Sequence, residues 1–163
     1  MSWAHVHLLI NHIPVLGVGF NIIVLSIAMF LRNEEFKKVS LAIFAALAAF
    51  TVAVYLTGSP AAKQIRNIPT VSVAIIHQHS NAALISAIAL GVLGAFSLVA
   101  LWLFRDGRPI PAAWIWALLL LAVIVQGLMA WTASLGGQIR HTEIRPAVLS
   151  RELPNVRLDL DRA

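Results

Sequence analysis

Of 163 residues, 60% are hydrophobic and only 12% charged, about half the charged share of a soluble domain, so the chain belongs in a lipid bilayer and not in water. The formal net charge of +5 sits mainly in short turns flanking apolar runs, the pattern of membrane flanks and not of a nucleic-acid surface. Cysteine is absent, which excludes thiolate ligands, disulfides and covalently attached c-type haem.

Residues 1–12 lack a basic n-region and no small-residue cleavage site follows the first apolar run, so no secretory signal is expected and the first span should remain in the mature protein. The entry, Trp3-Ala4-His5-Val6-His7-Leu8-Leu9-Ile10-Asn11-His12-Ile13-Pro14, carries three of the six histidines. A span is predicted over 13–31. Asn11 can cap it, with Pro14 tolerated in the first turn; alternatively the helix begins near Trp3 and Pro14 kinks it. A charged turn, 32–38, closes the span and makes the next helix an antiparallel neighbour.

The second span is predicted over 39–56. Its alanines, Ala42, Ala45, Ala46, Ala49 and Ala53, recur at helical spacing and suit close helix approach in lipid. Thr57-Gly58-Ser59-Pro60 reads as a stop, followed by the longest inter-span loop, through residue 76, which carries Lys63, Arg66 and Pro69. His77-Gln78-His79-Ser80-Asn81 leads into a third span over 82–104, with Ser80 or Asn81 as caps. The turn 105–111 and a fourth span over 114–135 follow, with a stop at Gly136-Gly137. The predicted organisation is a transmembrane domain over 1–137 and a polar C-terminal tail over 138–163. The fold class is all-α, an integral membrane antiparallel four-helix bundle.

Arg32, Lys37, Lys38, Arg105 and Arg108 occupy the two short turns, which the positive-inside rule assigns to the cytoplasm. The termini and the 57–76 loop then share the periplasmic face, and all six histidines lie on it. Trp3, Tyr55 and Trp131 supply that face with an aromatic belt, and Trp102, Trp114 and Trp116 supply the other.

Imidazole ligates iron, copper, nickel and zinc, and with cysteine absent it is the leading ligand here. The simplest assembly is bis-histidine haem b, with one ligand from span one and one from span three or four. His12, nearest its apolar run, is the first choice, and His5 and His7 form its periphery. His77 and His79 stand about 200° apart on a helix, so one of them faces any given interior point. His141 aligns with Gly127, Ala130, Ser134 and Gly137 and joins their face if the helix outlasts the glycines. There it is a ligand of a second haem or a proton acceptor.

Lys63, Arg66, Arg140 and Arg145 are placed to meet haem propionates or to serve as ordinary interfacial cations. Glu143 can orient a histidine or move a proton. Asn21, Ser86, Ser97, Gln126 and Ser134 are expected to form interhelical hydrogen bonds, with a quinone site as the lesser reading. No predicted span holds an internal charge, which argues against an ion pump.

Asn11, His12, Pro14 and Gly17, then Thr57-Gly58, the histidine pair, and Gly136-Gly137-x-x-Arg140-His141-x-Glu143 form a pattern that resembles a group of small bacterial four-span membrane proteins of unknown function, suspected of binding haem. The resemblance covers residues 5–145. The shape is also similar to membrane b-type cytochromes that exchange electrons with quinones, although those commonly hold haems within the spans and near both leaflets. The histidines, the topology and these resemblances together predict a protein of the bacterial inner membrane with one or two haems b near the periplasmic face, His12 with His79 or His77 as axial ligands, exchanging electrons between the quinone pool and a periplasmic redox protein or other membrane subunits. A place in a quinol oxidoreductase is left open. The competing readings are a non-haem Cu, Zn or Fe site and a structural or assembly subunit.

Overall fold

The structure, a computed structural model, describes residues 1–145, with nothing described of the Thr142 side chain; most of the predicted tail, residues 146–163, lies outside the described residues. Among the described residues the chain forms four long helices and no strand. They are α1 (Trp3–Phe30), α2 (Glu34–Ile65), α3 (Val73–Leu103) and α4 (Ala112–Arg140), followed by one 3-10 turn, Thr142–Ile144. Each helix is long and apolar enough to cross a membrane. α1 and α3 each pack against both α2 and α4, the α1–α4 seam being the thinnest, so α1 and α3 stand diagonally across the bundle.

A span of hydrocarbon takes about 20 residues, and the shortest of these helices has 28, which at about 1.5 Å per residue is roughly 42 Å. The surplus falls mostly on the histidine side. α1 starts ten residues before the apolar run at Ile13, its first turn capped by the Ser2 hydroxyl, and Pro14 lies buried inside it. α2 runs past Thr57-Gly58 and through Pro60 to Ile65, so the expected stop there is corrected. Proline costs one backbone bond, which tertiary packing offsets here. Gln64 in the added turns accepts a bond from the Ala4 N–H at 3.0 Å and so helps to cap α1.

α3 begins at Val73 with Ser72 as its cap, not Ser80 or Asn81. The long 57–76 loop is thereby reduced to residues 66–72. α4 continues through Gly136-Gly137 to Arg140, because two glycines weaken a packed helix without requiring it to end. Arg145, buried beyond it, donates to the carbonyls of Gln138 and Ile139 at 2.8 and 3.0 Å and to Thr70 at 2.8 Å. It satisfies carbonyls left open at the end of α4 and ties them to the α2–α3 connection.

The core is a column of Val18, Leu25, Leu41, Phe44, Leu90, Leu93, Ile115 and Val125. Large apolar residues such as Leu16, Phe20 and Leu120 point outward toward lipid. Close approach of α2 and α3 is made at Gly94, where an added Cβ would collide with the Cβ of Ala48. Of the expected alanine face only Ala45 takes part, its Cα lying 3.5 Å from a Cβ added at Gly94; Ala42, Ala46, Ala49 and Ala53 are exposed. At the cationic end Glu34 accepts from Lys37 Nζ at 2.6 Å and from the Ile110 N–H at 3.0 Å, joining the two short turns.

Candidate functional site

Five of the six histidine side chains split by helix face, and the sorting follows from the buried stripe of each helix. In α1 the stripe is Pro14, Val18, Asn21, Leu25 and Ala28, and His7 continues it one heptad earlier. In α3 it is Ile75, Ala82, Ser86, Leu90 and Leu93, and His79 falls between its first two members. His7 and His79 are accordingly part-buried and turned inward.

His79 Nδ1 lies 3.0 Å from the Thr132 carbonyl oxygen of α4. A carbonyl only accepts, so Nδ1 carries the proton and Nε2 presents a lone pair. Thr132 is held in turn: its hydroxyl donates to Leu128 O at 3.0 Å and accepts from Ser86 Oγ at 2.9 Å. His7 Nδ1 meets Thr57 Oγ1 of α2 at 2.8 Å. That hydroxyl spends its proton on Val54 O at 2.7 Å, so it accepts from His7, for which the Val54 carbonyl is a further backbone acceptor; among the described residues no hydrogen bond to His7 Nε2 is formed. All four helices therefore contribute to two imidazoles of one tautomer. Glycines flank both: a Cβ on Gly136 would lie 3.1 Å from His79 Cε1, and one on Gly58 would lie 3.5 Å from His7 Cε1.

The remaining histidines are exposed. His12, the first-choice ligand, lies on the outward stripe with Leu16 and Phe20, and its Nδ1 bonds Leu8 O of its own helix at 2.8 Å. His5 is exposed near the start of α1. His77 sits about 200° from His79, as its spacing requires, and lines a small cleft of about 160 Å³ with Arg66 and Ala62. His141 follows the end of α4 in extended backbone; the helix outlasts the glycines but stops one residue short, so His141 leaves the expected face.

His141 Nδ1 bonds Glu143 at 2.8 Å. Glu143 is held below the usual carboxylate range, first by a hydrogen bond from its own backbone N–H and then by His141. Arg66 and Arg140 are exposed at this end of the bundle, as is Lys63. Among the described residues no three His, Cys, Asp or Glu side chains come together as a metal-ligand group, so the structure brings together a pair of imidazoles and not a cluster.

Sequence reasoning that weighted nearness to the apolar run set His7 at the periphery, read Thr57 as part of a helix stop and a motif and not as a histidine partner, and did not single out Thr132. The available signal was the stripe: positions 7, 14, 18, 21, 25 and 28 keep alternating spacings of about 3.5, whereas 12, 16 and 20 keep a different face.

Comparison of the chain with protein-family models, with curated proteins and with solved structures returns no match.

Proposed function

We propose that this multi-pass membrane protein is a b-type cytochrome-like electron carrier whose haem is held by His7 and His79. The observation that carries the reading is the pair of inward imidazoles on diagonal helices, each fixed through Nδ1 and with no hydrogen bond to Nε2 among the described residues. Ligating histidines characteristically have their second ring nitrogen bonded in this way, which sets tautomer and orientation and raises ligand basicity. A pair of protein ligands suits a metal that brings four equatorial ligands of its own, whereas zinc or copper sites draw three or four from the chain. Gly58 and Gly136 let the two rings pack directly on the backbones of α2 and α4, which helps to fix their orientation.

Bound there, haem iron would supply one-electron chemistry. The chain's own contribution is to orient two imidazoles and to back them with Thr57 and with the Ser86–Thr132 pair. Arg66 and Arg140 stand at the rim as cations for propionate carboxylates. The basic turns lie at the cytoplasmic surface and the histidine end projects toward the periplasm of a bacterial inner membrane. Electrons then pass between the quinone pool and a periplasmic redox protein, with this chain acting as a subunit of a larger assembly.

A reduced-minus-oxidised absorbance spectrum of the protein purified after haem-replete expression tests the reading. Soret and α bands support it. A protein that carries neither overturns it.

A further inference from the structure

The opposite end of the bundle holds a cleft of about 820 Å³ between α1 and α4, the most thinly packed seam of the bundle. Its volume is within the range of about 300–1,000 Å³ typical of ligand sites. Met29 and Phe30 of α1 and Ile115, Trp116 and Leu119 of α4 make its apolar walls, of which Phe30 and Trp116 are exposed toward the hydrocarbon and Ile115 is its buried floor. The mouth is polar and lies at the level of the short basic turns.

Three features give that mouth a positive character. Lys37 neutralises Glu34 across 2.6 Å, so the acidic residue there adds no net repulsion of an anion. Arg32 makes no ion pair among the described residues and is exposed. α4 starts at Ala112 on the rim without a side-chain cap, leaving the positive end of its dipole toward the mouth. Arg32 also has φ of 51°, the left-handed region where glycine or asparagine is the ordinary choice. A long cation stands there in spite of the strain.

We infer that this cleft binds an anionic phospholipid, with one acyl chain between α1 and α4 and the phosphate at Arg32. Apolar walls open to lipid, continuous with a cationic rim at headgroup depth, match an amphiphile of that charge. A zwitterionic lipid would satisfy the walls and bring an ammonium group to the same cations. The site is separate from the histidine end and stands whether or not haem is bound there.

The test uses the full chain reconstituted in phosphatidylcholine vesicles that contain chain-brominated phosphatidylglycerol or chain-brominated phosphatidylcholine. The readout is the share of tryptophan quenching that disappears in Trp116→Phe. Relative affinity for the anionic lipid should exceed that for the zwitterionic one by about fivefold, the size of one surface cation's attraction. The excess should vanish in Arg32→Gln and persist in Arg105→Gln, which removes a cation from the other short turn. Helix content by circular dichroism checks that each variant is folded. Equal quenching by the two lipids overturns the inference, as does an excess that survives Arg32→Gln or is lost equally in Arg105→Gln.

Discussion

His79 on α3 donates its Nδ1 proton across 3.0 Å to the backbone carbonyl of Thr132 on α4, and this one bond ties the orientation of a part-buried imidazole to the main chain of a neighbouring helix. His7 depends instead on a side chain, the Thr57 hydroxyl. The two histidines should therefore respond differently to substitution of their partners.

Thr57→Val removes the hydroxyl that His7 Nδ1 meets and leaves the Val54 carbonyl as its remaining acceptor, so it should weaken cofactor affinity by about 10-fold, the lower end of the usual cost of losing an orienting partner. Thr132→Val keeps the carbonyl and loses only the hydroxyl link to Ser86, so its effect should be several-fold smaller. Haem titration of both purified variants measures the contrast.

Gly136→Ala places a Cβ 3.1 Å from His79 Cε1 and 3.4 Å from its Nδ1, closer than side chains ordinarily stand. The imidazole must yield, and the expected outcome is a displaced or weakened Soret band with unchanged helix content. Gly91→Ala, at a position with open space, is the control and should leave the spectrum as it is.

Asn21 is fully buried in α1 and donates to Ser40 O of α2 at 2.8 Å. Interhelical bonds in bilayers average about 0.6 kcal/mol and reach about 1.7 kcal/mol, so Asn21→Ala should destabilise the bundle by about that range plus a small packing loss. Denaturation in mixed micelles provides the value.

Arg32→Gly relieves a left-handed backbone position, and should stabilise the fold by up to about 1 kcal/mol while abolishing the preference for anionic lipid. Gain of stability with loss of lipid selectivity is the signature of a residue kept for binding; the unfolding midpoint and the quenching ratio are measured on the same sample.

Glu143 titrates below the ordinary carboxylate value of 4.5. A depressed folded pKa means that its contribution to stability is fully present above pH 4.5 and is lost as pH falls through the lower, folded midpoint. The group is fully exposed, so the effect is local: a carbon-detected titration should show the depressed midpoint in the wild type and its partial recovery in His141→Ala.

The bundle was legible because lipid demands long apolar helices, and composition reports those directly. The helix ends were not. Thr57-Gly58-Ser59-Pro60 and Gly136-Gly137 carry local breaker chemistry that tertiary packing overrides, and Ser72, an ordinary residue in a polar stretch, is the cap that decides where α3 begins. The six histidines could be placed at one end by topology alone. Ranking them needed the helix face: His12 is nearest the apolar run yet shares the outward stripe of Leu16 and Phe20, while His7 shares the inward stripe of Pro14 and Val18. Arg145 could not have been assigned from spacing, because its acceptors are backbone carbonyls brought together only by the fold.

On the proposed function, His7 and His79, and not His12, hold the cofactor. The most direct measurement is the reduced-minus-oxidised spectrum of His7→Ala, His79→Ala and His12→Ala beside the wild type, each expressed with haem. Bands retained in His12→Ala and lost or shifted in both of the others are predicted. Loss of the bands in His12→Ala with retention in His79→Ala would contradict the account, as would a wild-type protein with no bands at all.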